Sequence, residues 1–479
     1  MSIRLLRSSS HHQCYRPRYQ AFSTTTRWRW HTSELDGEKM KSLKVHRDRL
    51  MKDIHHTAQW GTGERWGKAS AETGMSRLAL SDADKSARDW FVKTTEELGC
   101  KTTVDAMGNI FAVRPGQKDG PPIYAGSHLD TQPTGGRYDG VLGVTAAIEM
   151  LRVLNDNWVE TEYPVGVVNW TNEEGARFPI SMVSSGVWSG SIPLDHAHNL
   201  KEVGSGTATM KSELERIGYL GSTPASHEAI PMAAHFELHI EQGPILESER
   251  HKIGIVQGVQ AYRWFTIHVK GQDCHTGTTP FNVRSDALLT AAKMILQSHR
   301  AATKHGALAS TGILTLKPGS TNTVPGDVKF SLDIRAAADK TLDALEQDLR
   351  DDFALIASAS DVAGLNTHGT PGLPCTVSWS TDSISSATTF HSDCISCVEA
   401  AAKVIFGDET EKLTKTMTSG AGHDSVYTSK VCPTSMIFVP SKGGVSHNPR
   451  EFTSEEDCTL GAQVLVGSVV ECDRRRVRG

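Results

Sequence analysis

Residues 121–154 read PPIYAGSHLDTQPTGGRYDGVLGVTAAIEMLRVL. Pro121-Pro122 opens the strand-like run Ile123 to Ala125, a glycine-rich turn follows, and Val141 to Leu154 reads as a helix. A strand, a turn carrying His128, Asp130 and Asp139, and a helix form one unit of an α/β layer, with polar residues at the strand end. The same alternation extends to either side. Ser81-Asp82-Ala83-Asp84 opens a helix, because serine caps free backbone N–H groups and the acids suit the positive end of the helix dipole. Ile110 to Val113 and Val165 to Trp170 are further strands.

Around residue 258 the texture changes. Arg263 to Lys270 alternates as a strand, Ser285 to Ser298 is an amphipathic helix, Thr311 to Leu316 and Val328 to Arg335 are strands, and Lys340 to Ala357 is a helix. With Thr376 to Ser380 as a closing strand, this predicts a smaller α+β unit of four strands and two helices inserted at 258–380. The larger α/β domain is then discontinuous, covering 34–257 and 381–479.

A chain of 479 residues has room for two or three domains. It contains no run of about 18 apolar residues, which excludes a membrane-spanning helix. A net charge of -5 gives no reason to expect a nucleic-acid partner. Nine scattered cysteines fit a reducing compartment, and the close pair Cys394 and Cys397 reads as helix packing. Residues 1–33 hold six arginines and no acid, the composition of a mitochondrial transit peptide; the alternative is a disordered leader on a cytoplasmic protein.

Five stretches concentrate His, Asp and Glu at strand ends or tight turns: 126–130, 135–140, 172–175, 235–243 and 443–449. In the fourth, His235 and His239 are four apart, a spacing that also suits a zinc-binding helix. Phe236, Leu238 and Ile240 alternate with the polar residues, however, so a strand fits better. Taken singly, each stretch has an ordinary structural explanation, such as a turn-capping aspartate or a solvated glutamate pair. Together, imidazoles and carboxylates from separate strand ends are what two zinc-like ions require, each with an open position for water.

Three of these stretches, Gly126-Ser-His-Leu-Asp-Thr-Gln-Pro133, Asn172-Glu-Glu-Gly-Ala-Arg-Phe178 and Leu238-His-Ile-Glu-Gln-Gly-Pro-Ile-Leu246, resemble the hydantoinase/carbamoylase amidase branch of the aminoacylase and carboxypeptidase-type di-metal hydrolases. The branch includes N-carbamoyl-L-amino-acid hydrolases, allantoate amidohydrolases and the fungal β-alanine synthases (β-ureidopropionases). The last also share the pattern of Gly258 to Tyr262, Ser419 to Ser425 and Pro433 to Phe438. The resemblance runs from about residue 45 to 470. It implies a di-metal aminopeptidase-like catalytic domain with an inserted lid and dimerisation domain, and a homodimer paired through that insert.

The resemblance also assigns residues. His128, Asp139 and His239 would hold one metal and Asp139, Glu174 and His447 the other, with Asp139 bridging. Zinc fits this shell, as do manganese, cobalt and nickel. Asp130 would accept the other N–H of the His128 imidazole. Glu173 would be the general base. In the insert, His275 would stabilise the oxyanion and Arg335 would bind the substrate carboxylate, while Gln242, Asn322 and His423 orient the substrate. Cys274 departs from the small residue usual in the branch. The implied reaction converts N-carbamoyl-β-alanine to β-alanine, carbon dioxide and ammonia, a step of pyrimidine degradation. The alternatives are hydrolysis of an N-carbamoyl-L-α-amino acid or allantoate; a dipeptidase, an aminoacylase and a non-catalytic binding protein rank below them.

Overall fold

The computed structural model describes residues 30–204, 206–359 and 372–478. Most of the leader expected at 1–33 lies outside these residues, but its last four belong to the folded body. Trp30–His31 pairs in parallel with Val159–Glu160. Thr32 is buried and donates its hydroxyl to the buried carboxylate of Asp473, which also accepts the N–H groups of Glu162 and Tyr163. A buried carboxylate needs such donors, so residues 30–33 take part in the packing of the folded body.

The larger sheet has nine strands. In chain order these begin with β1 (Lys101–Val104), β2 (Ile110–Arg114), β3 (Ile123–His128), β4 (Val165–Trp170), β5 (Ala234–Ile240) and β6 (Ile253–Val259). The insert supplies β7 (Ala261–Lys270), β8 (Leu308–Ser310), β9 (Leu314–Lys317), β10 (Asp327–Ala336) and β11 (Thr376–Ser385). The chain then returns as β12 (Thr388–Thr389), β13 (Thr414–Ser419) and β14 (Thr434–Val439). The large sheet runs β12-β6-β14-β5-β3-β4-β2-β1, with β13 also pairing β6. Its four middle strands, β14, β5, β3 and β4, are parallel, and every residue in them is buried. Parallel strands covered on both faces lose the polar/apolar alternation of a half-exposed strand. The polar residues of β5, His235, Glu237 and His239, are therefore inside the protein, where each needs a partner.

Along β3, Ile123 and Ala125 join the main core while Tyr124 joins a smaller one with Phe111, Trp170 and Trp188 on the other face. Helices α1 (Asp82–Glu97) and α2 (Val141–Asp156) contribute to the main core, as do α5 (Ser392–Phe406) and α6 (Glu455–Arg478). Cys394 and Cys397 are buried on α5 with free thiols. Helices α3 (Ala287–Lys304) and α4 (Asp339–Ala357) cover the insert sheet.

The insert has its own core. Its sheet runs β8-β10-β7-β11, and β9 also pairs β10. Strands β8 and β9 meet different halves of β10, so the sheet is four strands across with a broken outer strand where one strand, Thr311 to Leu316, is expected. Strand β11 continues to Ser385 because it pairs β7 along its whole length, from Lys270 with Thr376 to Tyr262 with Ser385. The insert thus spans 261–385, while Gly258 and Val259 pair within the large sheet. Among the described residues, no helix is long and apolar enough to cross a membrane.

Candidate metal centre and active site

The carboxyl ends of β4, β3, β5 and β14 lie side by side, the edge at which open parallel sheets bind ligands. His128 ends β3, Glu173 and Glu174 follow β4, His239 lies near the end of β5, and His447 lies in the loop after β14. Asp139 sits in the turn between β3 and α2. Gly140 makes that turn possible: its φ is +64°, and a Cβ there would lie 2.4 Å from the His128 ring.

The five residues assigned to metal converge. One carboxylate oxygen of Asp139, Oδ1, is 3.0 Å from Nε2 of His239 and 3.6 Å from Nε2 of His128. The other, Oδ2, is 3.5 Å from Nε2 of His447, which is 3.4 Å from Oε2 of Glu174. In each of the two groups, His128-Asp139-His239 and Asp139-Glu174-His447, one donor atom per residue falls within 4.8 Å of the others. Both buried imidazoles are oriented through Nδ1, which is 2.9 Å from the Asp130 carbonyl in His128 and 2.8 Å from the Ile240 carbonyl in His239. A neutral ring donating there presents the lone pair of Nε2 to the cluster.

The electrostatics fit a cation. Nε2 of His128 is buried and has no hydrogen-bond partner among the described residues. Burial opposes its protonation, yet the carboxylates of Glu173, Asp139 and Asp130 hold its pKa well above the usual value. Burial would raise Asp139, but His239 and His128 hold it well below the usual carboxylate range. Glu173 and Glu174 are pushed well up, chiefly by burial and also by neighbouring carboxylates. Carboxylates crowded together beside an unpartnered imidazole nitrogen suit a divalent ion better than they suit one another.

Asp130 has a different task from the one expected. Its backbone carbonyl is the partner of His128 Nδ1, whereas its carboxylate lies 4.0 Å from that nitrogen. The carboxylate instead accepts the N–H groups of Glu173 at 3.3 Å and Glu174 at 3.2 Å. The turn after His128 brings the carbonyl closer to the ring, leaving the side chain free to reach the neighbouring strand end.

A cavity of about 300 Å³ opens above the cluster, and its wall includes Gln242, Arg335 and His423. Gln242 faces the cluster itself, donating from Nε2 to Asp139 at 2.9 Å. His423 is buried with its ring centroid 4.5 Å from that of His239, and its pKa is pushed down to about 3 by burial and by His239. Arg335 donates to the Gly420 carbonyl at 2.8 Å and pairs with Asp333 at 2.9 Å, so its charge is already partly matched. His275 and Asn322 are exposed neighbours at a short antiparallel pairing of Cys274–His275 with Thr323–Val324, where the Thr276 N–H donates to the Asn322 carbonyl at 3.0 Å. Neither lines the cavity. A chamber of about 900 Å³ adjoins it and shares Tyr262 and Trp264 with it.

Three supporting residues lie outside the sequence assignments. Gln132 donates from Nε2 to Glu174 at 2.7 Å. Ser446 donates to Asp139 at 2.9 Å. The buried carboxylate of Glu451 accepts the N–H groups of Tyr138 and Asp139 at 2.9 and 3.0 Å. Gln132 and Ser446 belong to stretches noticed in the sequence, but Glu451 acts on a turn more than 300 positions away and carries no local signal.

Residues 124–471 match the model of peptidase family M20/M25/M40. The chain belongs to this family. It is 37% identical over 436 residues to the N-carbamoyl-L-amino-acid amidohydrolase of Rhizobium meliloti, covering 90% of this chain and 97% of that protein. It is 29% identical over 418 residues to the allantoate amidohydrolase of Bacillus subtilis, covering 86% and 94%. The solved amidase of the hydantoinase/carbamoylase family from Burkholderia multivorans superposes with a TM-score of 0.80 at 39% identity, covering 90% of this chain and 99% of that one. The M20 chain described here is thus a hydrolase of the hydantoinase/carbamoylase amidase type, acting on carbon–nitrogen bonds other than peptide bonds.

Proposed function

We propose that this hydrolase removes the carbamoyl group of an N-carbamoyl amino acid, adding water to give the amino acid, carbon dioxide and ammonia, with N-carbamoyl-β-alanine as its preferred substrate. The observation that carries this reading is the shared carboxylate of Asp139, with two imidazoles on one oxygen and a third on the other, beside the side chain of Glu173. His128, Asp139 and His239 would hold one divalent ion and Asp139, Glu174 and His447 a second, zinc being the first choice and manganese, cobalt or nickel the others. Bound there, the pair supplies Lewis acidity toward the ureido carbonyl and makes water acidic near neutral pH.

Glu173 takes the proton of the attacking water and delivers it to the departing nitrogen. Arg335, in the cavity wall, receives the substrate carboxylate, and His423 and Gln242 bound the space in which the carbamoyl group lies.

Because they lie outside the cavity, His275 and Asn322 reach the reacting carbonyl by closure of the insert or from a second copy. Exposed Leu308, Ile313 and Leu314 at the outer edge of the insert sheet, with Leu289 and Leu296 on α3, support a homodimer paired there. The arginine-rich, acid-free start of the chain supports mitochondrial import.

The shared motifs and the compact inner cavity favour the unsubstituted β-amino acid. The adjoining chamber leaves room for a side chain and favours a second reading, an N-carbamoyl-L-α-amino acid or allantoate. Ammonia release by the metal-loaded enzyme from N-carbamoyl-β-alanine, N-carbamoyl-L-phenylalanine, allantoate and dipeptides separates them. N-carbamoyl-β-alanine is expected to show the highest kcat/KM. A higher value for N-carbamoyl-L-phenylalanine or allantoate selects the second reading, and cleavage of dipeptides alone rejects both.

A further inference from the structure

Glu173 and Glu174 are adjacent, chemically identical and almost equally buried, at 7% and 9% exposure, and both border the same cavity. The function proposed above, on which this inference rests, gives them different tasks. Their surroundings differ in one respect. Both oxygens of Glu174 are held by a single residue: Oε1 accepts the backbone N–H of Gln132 at 3.2 Å, and Oε2 accepts its side-chain amide at 2.7 Å. The same amide nitrogen is 3.4 Å from the Glu174 carbonyl oxygen. The Glu173 carboxylate accepts no hydrogen bond among the described residues, and His128 Nε2 lies 3.5 Å from its Oε2.

A carboxylate held at both oxygens cannot turn to collect a proton, but each oxygen keeps a lone pair for a cation. A carboxylate without such donors can swing. We infer that Gln132 is a positioning residue that fixes Glu174 as the metal-holding carboxylate and leaves Glu173 free as the base.

Gln132 is itself well anchored. The Arg77 N–H donates to the Thr131 hydroxyl at 2.8 Å, the Thr131 N–H donates to the Arg77 carbonyl at 2.9 Å, and the Arg77 side chain is buried. Two residues earlier, the Asp130 carboxylate holds the backbone N–H groups of the same two glutamates. Segment 130–132 therefore grips the pair twice, by its backbone through Asp130 and by one side chain through Gln132.

The test is a metal titration of the full-length protein. The parent, stripped with a chelator, is titrated with Zn²⁺ by calorimetry and with Co²⁺ by visible absorption, alongside Gln132→Leu and Gln132→Asn. Leucine keeps the bulk without the donor, and asparagine keeps the amide one methylene short; both retain the backbone contact. Each variant is expected to weaken one of two binding steps by about ten- to a hundredfold and leave the other in place, as loss of a ligand's orienting partner does. In parallel, kcat falls while KM for N-carbamoyl-β-alanine holds. If one variant does not fold, the other decides. Two unchanged binding steps with parental kcat would overturn the inference, as would equal weakening of both steps with a lower metal-free melting temperature. A parent that binds no metal overturns the proposed function first, a result visible before any variant is made.

Discussion

The carboxylate of Asp130 accepts the backbone N–H of Glu173 at 3.3 Å, tying the end of β3 to the residue assigned as base after β4. It also accepts the N–H of Glu174, so it orients both glutamates through their backbone. Removing it strands two donors next to the site. Asp130→Ala is expected to cost about 1–3 kcal/mol in urea unfolding and to lower kcat by more than its effect on KM. A variant with parental kcat would show that the glutamates do not depend on this contact.

Glu173→Gln should keep its metal and lose turnover by about 10²- to 10⁴-fold, the usual contribution of a positioned base. Metal content and ammonia release, measured on the same preparation, check this. Chelator treatment of the parent should abolish turnover and readdition of zinc restore it. Comparable rates in variant and parent would remove Glu173 from the mechanism.

Arg335→Ala is expected to act mainly on KM, raising it by about ten- to a hundredfold, the equivalent of one charged hydrogen-bonding partner. The pairing of Arg335 with Asp333 adds a second expectation. Asp333→Asn releases the guanidinium and should lower KM for an anionic substrate. Initial rates across substrate concentration test both variants, and an unchanged KM in Arg335→Ala rejects the anchoring role.

Gly140→Ala places a side chain where φ is +64° and the His128 ring is 2.4 Å away. Backbone strain and overpacking together predict a loss of about 2–4 kcal/mol, with weakened metal binding. Urea unfolding and zinc titration measure the two effects.

His235, buried in β5, gives a pH dependence away from the metal centre. Burial pushes its pKa down from 6.5 to about 4, with Glu237 opposing the shift. Between those values the unfolded chain binds a proton that the folded protein refuses, so stability rises with pH across this window and falls as pH drops from 6.5 toward 4. The loss approaches about 3 kcal/mol at the acid end. His235→Asn should flatten that part of the profile, and urea unfolding of both proteins at several pH values shows whether it does.

Much of the architecture was legible in residues 121–154, where proline, glycine and apolar spacing mark strand, turn and helix one after another. The insert was legible as well, because its strands alternate and its helices are amphipathic. Its ends were not, since β11 stops where its partner β7 stops, and pairing between distant segments leaves no local mark. For the same reason the outer strand appeared whole in the sequence and is broken in the fold.

By itself, the sequence determined the donor types and the turns that carry them: His128, Asp139, the two glutamates after β4, His239 and His447. These depend on local backbone periodicity and side-chain chemistry, which neighbouring residues encode. Only the tertiary structure decided that the Asp130 carbonyl, and not its carboxylate, meets His128, that Gln132 holds Glu174 and not Glu173, and that His275 and Asn322 lie outside the cavity. The physical reason is the order of the parallel strands. It sets which loops face one another at the carboxyl edge, and hydrogen bonds at about 3 Å are settled by that placement and not by spacing along the chain.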